Sequence, residues 1–228
     1  MIVFQYLAAF VVGYLMGSIP VGVVVSRLTA KVDVRDYGSG MTGTTNVLRT
    51  AGRKAAVLVV AGDLLKGALA VVFAGLIVGN GYLQVGAFGL DAGVGRVLAA
   101  LAAVIGHNWS VFLGFRGGRG VATYFGGMAA LVPAVAIFGG EILILSAFST
   151  RFVSLGSIAG VVGSYAIIIP LTLFNGLPIE YMLYSILGVV IIVAMHRGNI
   201  VRLMTGKERR LGERVGSIET PPPVEGGG

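Results

Sequence analysis

Long apolar runs separated by short polar stretches set the rhythm of the chain. Six runs stand out: Val3–Val25, Ala55–Gly79, Val97–Phe115, Val121–Ser149, Phe152–Phe174 and Tyr181–Met195. They approach or reach the ~20 residues an α-helix needs to cross a bilayer. The pattern predicts an all-α integral membrane protein. The fourth run is long and carries Pro133 near its first third, with Glu141 beyond it. Proline removes a backbone donor and breaks helices, which predicts two shorter helices here and seven in all, some short or broken. Five full spans plus a re-entrant segment is the alternative. The chain reads as one polytopic membrane domain over 1–215, then a Pro- and Gly-rich tail over 216–228 expected to be disordered.

Composition fits this picture. The 228 residues are 56% hydrophobic and only 12% charged, against about 25% charged in soluble domains. The 37 glycines suit close packing of membrane helices. The absence of cysteine excludes disulfides, thiolate metal sites and a cysteine acyl intermediate. The first run lacks the basic flank of a signal peptide and is expected to be a retained helix.

Charge then orients the runs. All but three of the seventeen Lys and Arg fall in three stretches, Arg27–Lys54, Arg116–Arg119 and Arg197–Arg214; the exceptions are Lys66, Arg96 and Arg151. By the positive-inside rule these stretches face the cytoplasm, with the N-terminus outside and the C-terminus inside, which requires an odd number of crossings. The net charge of +7 reflects this bias and attraction to anionic lipid, not nucleic-acid binding. Arg151 and Ser154 reach the same side only if the fourth run is a hairpin.

The same stretches hold the candidate chemistry. In DVRDYGSGMTGTTNVLRTAGRK, Gly38, Gly40 and Gly43 fit G-x-G-x-x-G, with Asp63 about twenty residues on, as in a dinucleotide fingerprint. That reading fails, because the motif needs a preceding strand in a βαβ unit. Asp63 lies in an apolar run three residues from Lys66, its expected partner. What remains is a loop whose glycines admit an anion to backbone N–H groups, with donors from Ser39, Thr44, Thr45 and Asn46, and with Arg49 and Arg53 four residues apart. In GHNWSVFLGFRGGRGVATYF, Gly117, Gly118 and Gly120 flank Arg119 before a helix, and Thr123 lies one turn in. A glycine turn entering a helix offers free N–H groups and a positive dipole end to phosphate. His107 reads as a membrane histidine satisfying the backbone, with a general-base role the lesser alternative. In MHRGNIVRLMTGKERRLGERV, His196, Asn199 and Arg202 share one helix face. Glu208, among cations, reads as an ion-pair partner. An amphipathic helix on anionic lipid is the bland alternative for this stretch.

These segments resemble one family. GSIPVG, YGSGMTGTTNVLRTAGRKA, DLLKGALAV, GHNWSVFLGFRGGRGVAT, RFVSLGSI and HRGNIVRLMTGKE match, in order and over about residues 13–214, the bacterial membrane acyl-phosphate:glycerol-3-phosphate acyltransferases. The resemblance implies seven membrane helices in the bacterial cytoplasmic (inner) membrane and an active site on the cytoplasmic side. It implies transfer of an acyl chain from acyl phosphate to the 1-hydroxyl of glycerol 3-phosphate, giving lysophosphatidic acid and phosphate at the start of phospholipid synthesis. By resemblance, Ser39, Arg49, His196 and Asn199 are the catalytic candidates. Gly38, Gly40, Thr45, Asn46, Gly117, Gly118, Arg119, Gly120, Thr123 and Ser154 are the substrate- or phosphate-binding candidates. No cofactor and no metal is implied. The implied partners are the two substrates, membrane lipids and the enzyme that makes acyl phosphate. The sequence departs from the family pattern at Met41 (usually Asn), Thr44 (Ala), Ser110 (Pro) and Arg119 (Lys). Arg119 keeps the charge but replaces a point cation by a planar fork. An acyl-CoA enzyme is disfavoured, since Phe112 and Val201 stand where the Asp of H-x-x-x-x-D would follow His107 or His196. A transporter or channel for phosphate or another anion is the rival; it would place its polar groups near the midplane, whereas here they gather at one interface.

Overall fold

A computed structural model describes residues 1–85 and 88–213; the predicted disordered tail, 216–228, lies outside the described residues. The chain is mostly helical. In order come α1 (Ile2–Ser18), α2 (Val21–Ala30), α3 (Thr44–Thr50), α4 (Gly52–Val78), α5 (Ala92–Asn108), α6 (Val121–Leu131), α7 (Pro133–Thr150), α8 (Val153–Asn175), α9 (Ile179–Met195) and α10 (Arg197–Met204). Short 3-10 turns cover Val34–Asp36 and Val111–Leu113. The all-α expectation needs one amendment. Between α4 and α5 lies an antiparallel hairpin, β1 (Leu83–Val85) with β2 (Phe88–Leu90), in register Leu83↔Leu90.

Proline sets two of the breaks. Pro20 stands between α1 and α2, and Pro133 opens α7 directly after α6 ends. The fourth apolar run is therefore two helices, as the missing proline donor requires. Five segments are long and apolar enough to cross a membrane: Ile2–Ala30, Gly52–Val78, Ala92–Leu113, Pro133–Thr150 and Val153–Asn175. A sixth is the pair α9 and α10, bent by 61°. Helix α6, at 11 residues, spans only ~16 Å at 1.5 Å per residue. Length alone thus gives five or six crossings among the described residues, rather than seven.

Close backbone approach holds the bundle. A Cβ on Gly13 would collide with the Ala99 carbonyl oxygen, and one on Gly17 with that of Ala103. This four-residue spacing of small residues lets α1 lie against α5. Farther along, Tyr124 of α6 stacks on Tyr184 of α9 with centroids 5.2 Å apart. Tyr184 donates to the Tyr124 carbonyl at 2.9 Å, and the Tyr124 and Ser185 hydroxyls pair at 3.0 Å. The hydroxyls of Tyr124, Tyr184 and Ser185 therefore each have a partner, as burial demands. Large side chains such as Phe4, Leu28, Leu76, Leu145, Phe148 and Phe174 face outward, as on a surface solvated by lipid.

Candidate active site

The three cation-rich stretches meet. The amide of Thr42 reaches the Gly117 carbonyl at 3.5 Å. The Arg49 guanidinium donates to the Arg209 carbonyl at 3.4 Å. Ser154 Oγ donates to Glu208 Oε1 at 2.8 Å. The hairpin of α6 and α7 thus returns Ser154 to the same end as the other stretches, as the charge argument required. Together they enclose a cavity of about 1170 Å³. Its polar part includes Ser39, Arg49, Arg119, His196, Asn199 and Glu208; its apolar part runs along α6 and α7 through Phe125, Ala129, Pro133, Ala136, Ile137 and Gly140.

The first loop is held from within. Asp33 accepts from Arg27 at 2.6 Å and from Arg35 at 2.7 Å, which occupies two of the loop's cations structurally. Asn46 is buried, and its Nδ2 lies 2.9 Å from the carbonyls of Val34, Tyr37 and Met41. Its Oδ1 accepts from the Ser39 amide at 3.2 Å. The Asn46 amide is therefore spent on shaping the loop, leaving exposed Ser39 and half-buried Arg49 facing the cavity. Gly38 and Gly40 take positive φ, 61° and 68°, where the missing Cβ matters. Gly38 and Thr45 line the cavity; Gly40 does not. Burial and the nearby Arg209 charge lower the Arg49 pKa below that of a free guanidinium, though arginine remains a cation.

The glycine loop differs from its expected form. The Gly117 and Gly118 amides are not free: they donate to the carbonyls of Asn108 at 3.1 Å and His107 at 3.0 Å. The amides left for an anion are those of Arg119, Gly120 and the first turn of α6, which has no side-chain cap. Gly118, Arg119 and Gly120 line the cavity, whereas Gly117 and Thr123 lie behind it. Arg119 Nε and Thr123 Oγ1 are buried with no hydrogen-bond partner. Burial lowers the Arg119 pKa, the Glu208 charge opposes it, and Arg202 and Arg49 act with burial.

The third stretch turns into the site at the bend between α9 and α10. His196 is buried there, and its Nδ1 lies 2.8 Å from the Ile192 carbonyl. A carbonyl only accepts, so Nδ1 carries the proton and Nε2 is left as an acceptor. Asn199 Nδ2 donates to Glu208 Oε1 at 2.6 Å and Arg202 Nε to Glu208 Oε2 at 2.8 Å. Glu208 is thus the ion-pair partner expected of it, and it also holds both Asn199 and Ser154, the latter across 54 residues with no local spacing to signal it.

Sequence reasoning also missed a buried contact. Asp63 pairs with Lys66, as expected, with Nζ 2.8 Å from Oδ1. His107 Nδ1 approaches the same oxygen at 3.4 Å. These are ion-pair distances without full hydrogen-bond alignment.

Comparison with known proteins identifies the family. The family model described as glycerol-3-phosphate acyltransferase matches residues 7–206. Glycerol-3-phosphate acyltransferase 3 of Dehalococcoides mccartyi (strain CBDB1) is 56% identical over 94% of this chain and 100% of its own. The glycerol-3-phosphate acyltransferase of Thermus thermophilus is 45% identical over 89% of this chain and 93% of its own. Among solved structures, the integral membrane glycerol 3-phosphate acyltransferase PlsY in its glycerol 3-phosphate form is 35% identical. It superposes with a TM-score of 0.78, covering 91% of this chain and 96% of that one. Its lysophosphatidic acid form gives 34% and 0.76. The chain belongs to the glycerol-3-phosphate acyltransferase family of integral membrane enzymes.

Proposed function

We propose that this acyltransferase takes its acyl group from acyl phosphate and passes it to the 1-hydroxyl of glycerol 3-phosphate. The observation that carries the reading is the shape of the cavity: a cationic end, built from all three polar stretches, continuous with an apolar arm along α6 and α7. A substrate with a phosphate head and a fatty chain matches that division. Both substrates are anions, so Arg49, Arg119 and the free amides of the glycine loop hold them together and offset charge in the transition state.

The chemistry needs little more. The hydroxyl oxygen attacks the carbonyl carbon of the mixed anhydride. The bond from that carbon to the phosphate oxygen breaks, and phosphate leaves with the electron pair. The hydroxyl proton passes to the donor's own phosphate, as the family resemblance implies. Ser39, Arg49, His196 and Asn199 all line the polar end. Ser39 and Arg49 are assigned to the reacting groups, and His196 and Asn199 to orienting the acceptor. Asn46, Gly38 and Gly40 shape the first loop. The reaction runs at the cytoplasmic face of the bacterial inner membrane, because the cation-rich stretches mark that side. The transport alternative finds no support among relatives that carry acyltransferase names.

Purified protein in detergent tests the donor. Phosphate release that requires both acyl phosphate and glycerol 3-phosphate, with lysophosphatidic acid formed and acyl-CoA inert, supports the reading. Turnover with acyl-CoA alone as donor overturns it.

A further inference from the structure

We propose that Asp63, Lys66 and His107 are positioning residues for the phosphate held by the loop Gly117–Gly120; this rests on the acyltransferase reading above. All three are buried, at 2%, 5% and 6% exposure. Two belong to α4 and one to α5, inside segments long and apolar enough to span. Buried ion pairs add little stability over an apolar replacement. Ionisable groups within a membrane segment are rare and mark function. Asp63 and His107 also border the cavity.

The geometry joins the trio to the loop. Lys66 Nζ bridges Asp63 Oδ1 at 2.8 Å and the Ile19 carbonyl at 3.1 Å. That carbonyl lies at the break between α1 and α2, so the cation is fixed from two helices. Asp63 in turn lies 3.4 Å from His107 Nδ1, against one edge of the imidazole. The far edge of that ring lies beneath the loop. A Cβ built on Gly118 would collide with His107 Nε2 and fall 3.0 Å from Cδ2 and Cε1. From the backbone side, the His107 and Asn108 carbonyls take the amides of Gly118 and Gly117. The loop is thus seated on His107 by both ring and main chain.

That seat decides what the loop can offer a ligand. It spends the first two amides and leaves those of Arg119 and Gly120. It also sets Arg119, whose buried Nε has no partner. Asn108, 2% exposed, has both amide atoms unpartnered, and its Oδ1 would lie 2.8 Å from a Cβ on Gly120. Unpartnered buried donors around a helix start call for an anion or water there. Turning the imidazole would move Gly118 and, with it, the residue that follows.

The test compares purified full-length wild type with Asp63→Asn and His107→Gln in steady-state assays that vary each substrate. The expected result is a KM for one of the two phosphate substrates raised about tenfold or more, with kcat changed less than about threefold. Folded variants with both KM values within about threefold of wild type overturn the proposal, whatever kcat does. If Asp63→Asn does not fold, His107→Gln decides alone, since it leaves the Asp63–Lys66 pair complete. Calorimetric titration with inorganic phosphate makes the same comparison without turnover. Failure of wild type to transfer acyl groups would sink the acyltransferase reading, while phosphate binding weakened about tenfold in His107→Gln would still support the seat.

Discussion

Side chains at the polar end divide by what they have left to give. Asn46 is committed to three carbonyls and the Ser39 amide, whereas Arg49 makes one long hydrogen bond to a backbone carbonyl. Arg53 is exposed and stands outside the main cavity. Ser39→Ala and Arg49→Ala are therefore expected to lower kcat/KM by about 100-fold or more, the scale of losing one transition-state donor. Arg53→Ala should stay within about threefold. Equal losses in all three folded variants would contradict this ranking. Glu208 gives a pH prediction. Burial pushes its carboxyl up, but hydrogen bonds from Asn199, Ser154 and Arg202, with the Arg202 charge, outweigh burial and hold its pKa below the ordinary value. A depressed folded pKa adds stability above the unfolded value of about 4.3, and that stability is lost as pH falls through the folded value. Wild type should accordingly melt higher than Glu208→Gln at pH 7, and the gap should narrow as pH falls below the unfolded value. A gap that does not narrow as pH is taken progressively below the unfolded value would show that the carboxylate charge does not matter.

At the scale of elements, what sequence reveals depends on how local the cause is. Pro133 acts on its own backbone, so the split of one apolar run into α6 and α7 was legible. The Asp63–Lys66 pair lies one helical turn apart, so it was legible too. The Asp63–His107 contact joins different helices, and Glu208 meets Ser154 across 54 residues; neither leaves a spacing to read. The hairpin of β1 and β2 has three-residue strands, too short for an alternating pattern to register. The glycine loop was found by composition, but which amides remain free depends on the carbonyls of α5 beneath it. The hairpin of α6 and α7 also carries a prediction about chain length. Gly140 lines the cavity, and a Cβ there would meet nothing within 4 Å. Gly140→Leu should fold normally and shift preference toward shorter acyl donors, read as kcat/KM across a chain-length series. An unchanged series would place the acyl chain elsewhere.

For the whole molecule, the arrangement is an asymmetric bundle with its chemistry at one end. Apolar side chains face outward, small residues let α1 and α5 touch, and residues of the three cation-rich stretches line one end of a single cavity. The chain has no cysteine, so single reporter thiols can map its orientation. Tyr82→Cys, beside the hairpin, should react with a membrane-impermeant maleimide added to intact cells. Arg209→Cys, at the polar end, should react only after the membrane is opened. The reverse pattern would invert the proposed topology.

The most direct measurement is phosphorus NMR of purified protein given limiting acyl phosphate with excess glycerol 3-phosphate. Acyl transfer to glycerol 3-phosphate predicts one lysophosphatidic acid and one inorganic phosphate for each acyl phosphate consumed, and no consumption when glycerol 3-phosphate is left out. Acyl phosphate that is hydrolysed without acceptor, or that persists unchanged beside folded protein and both substrates, would contradict it.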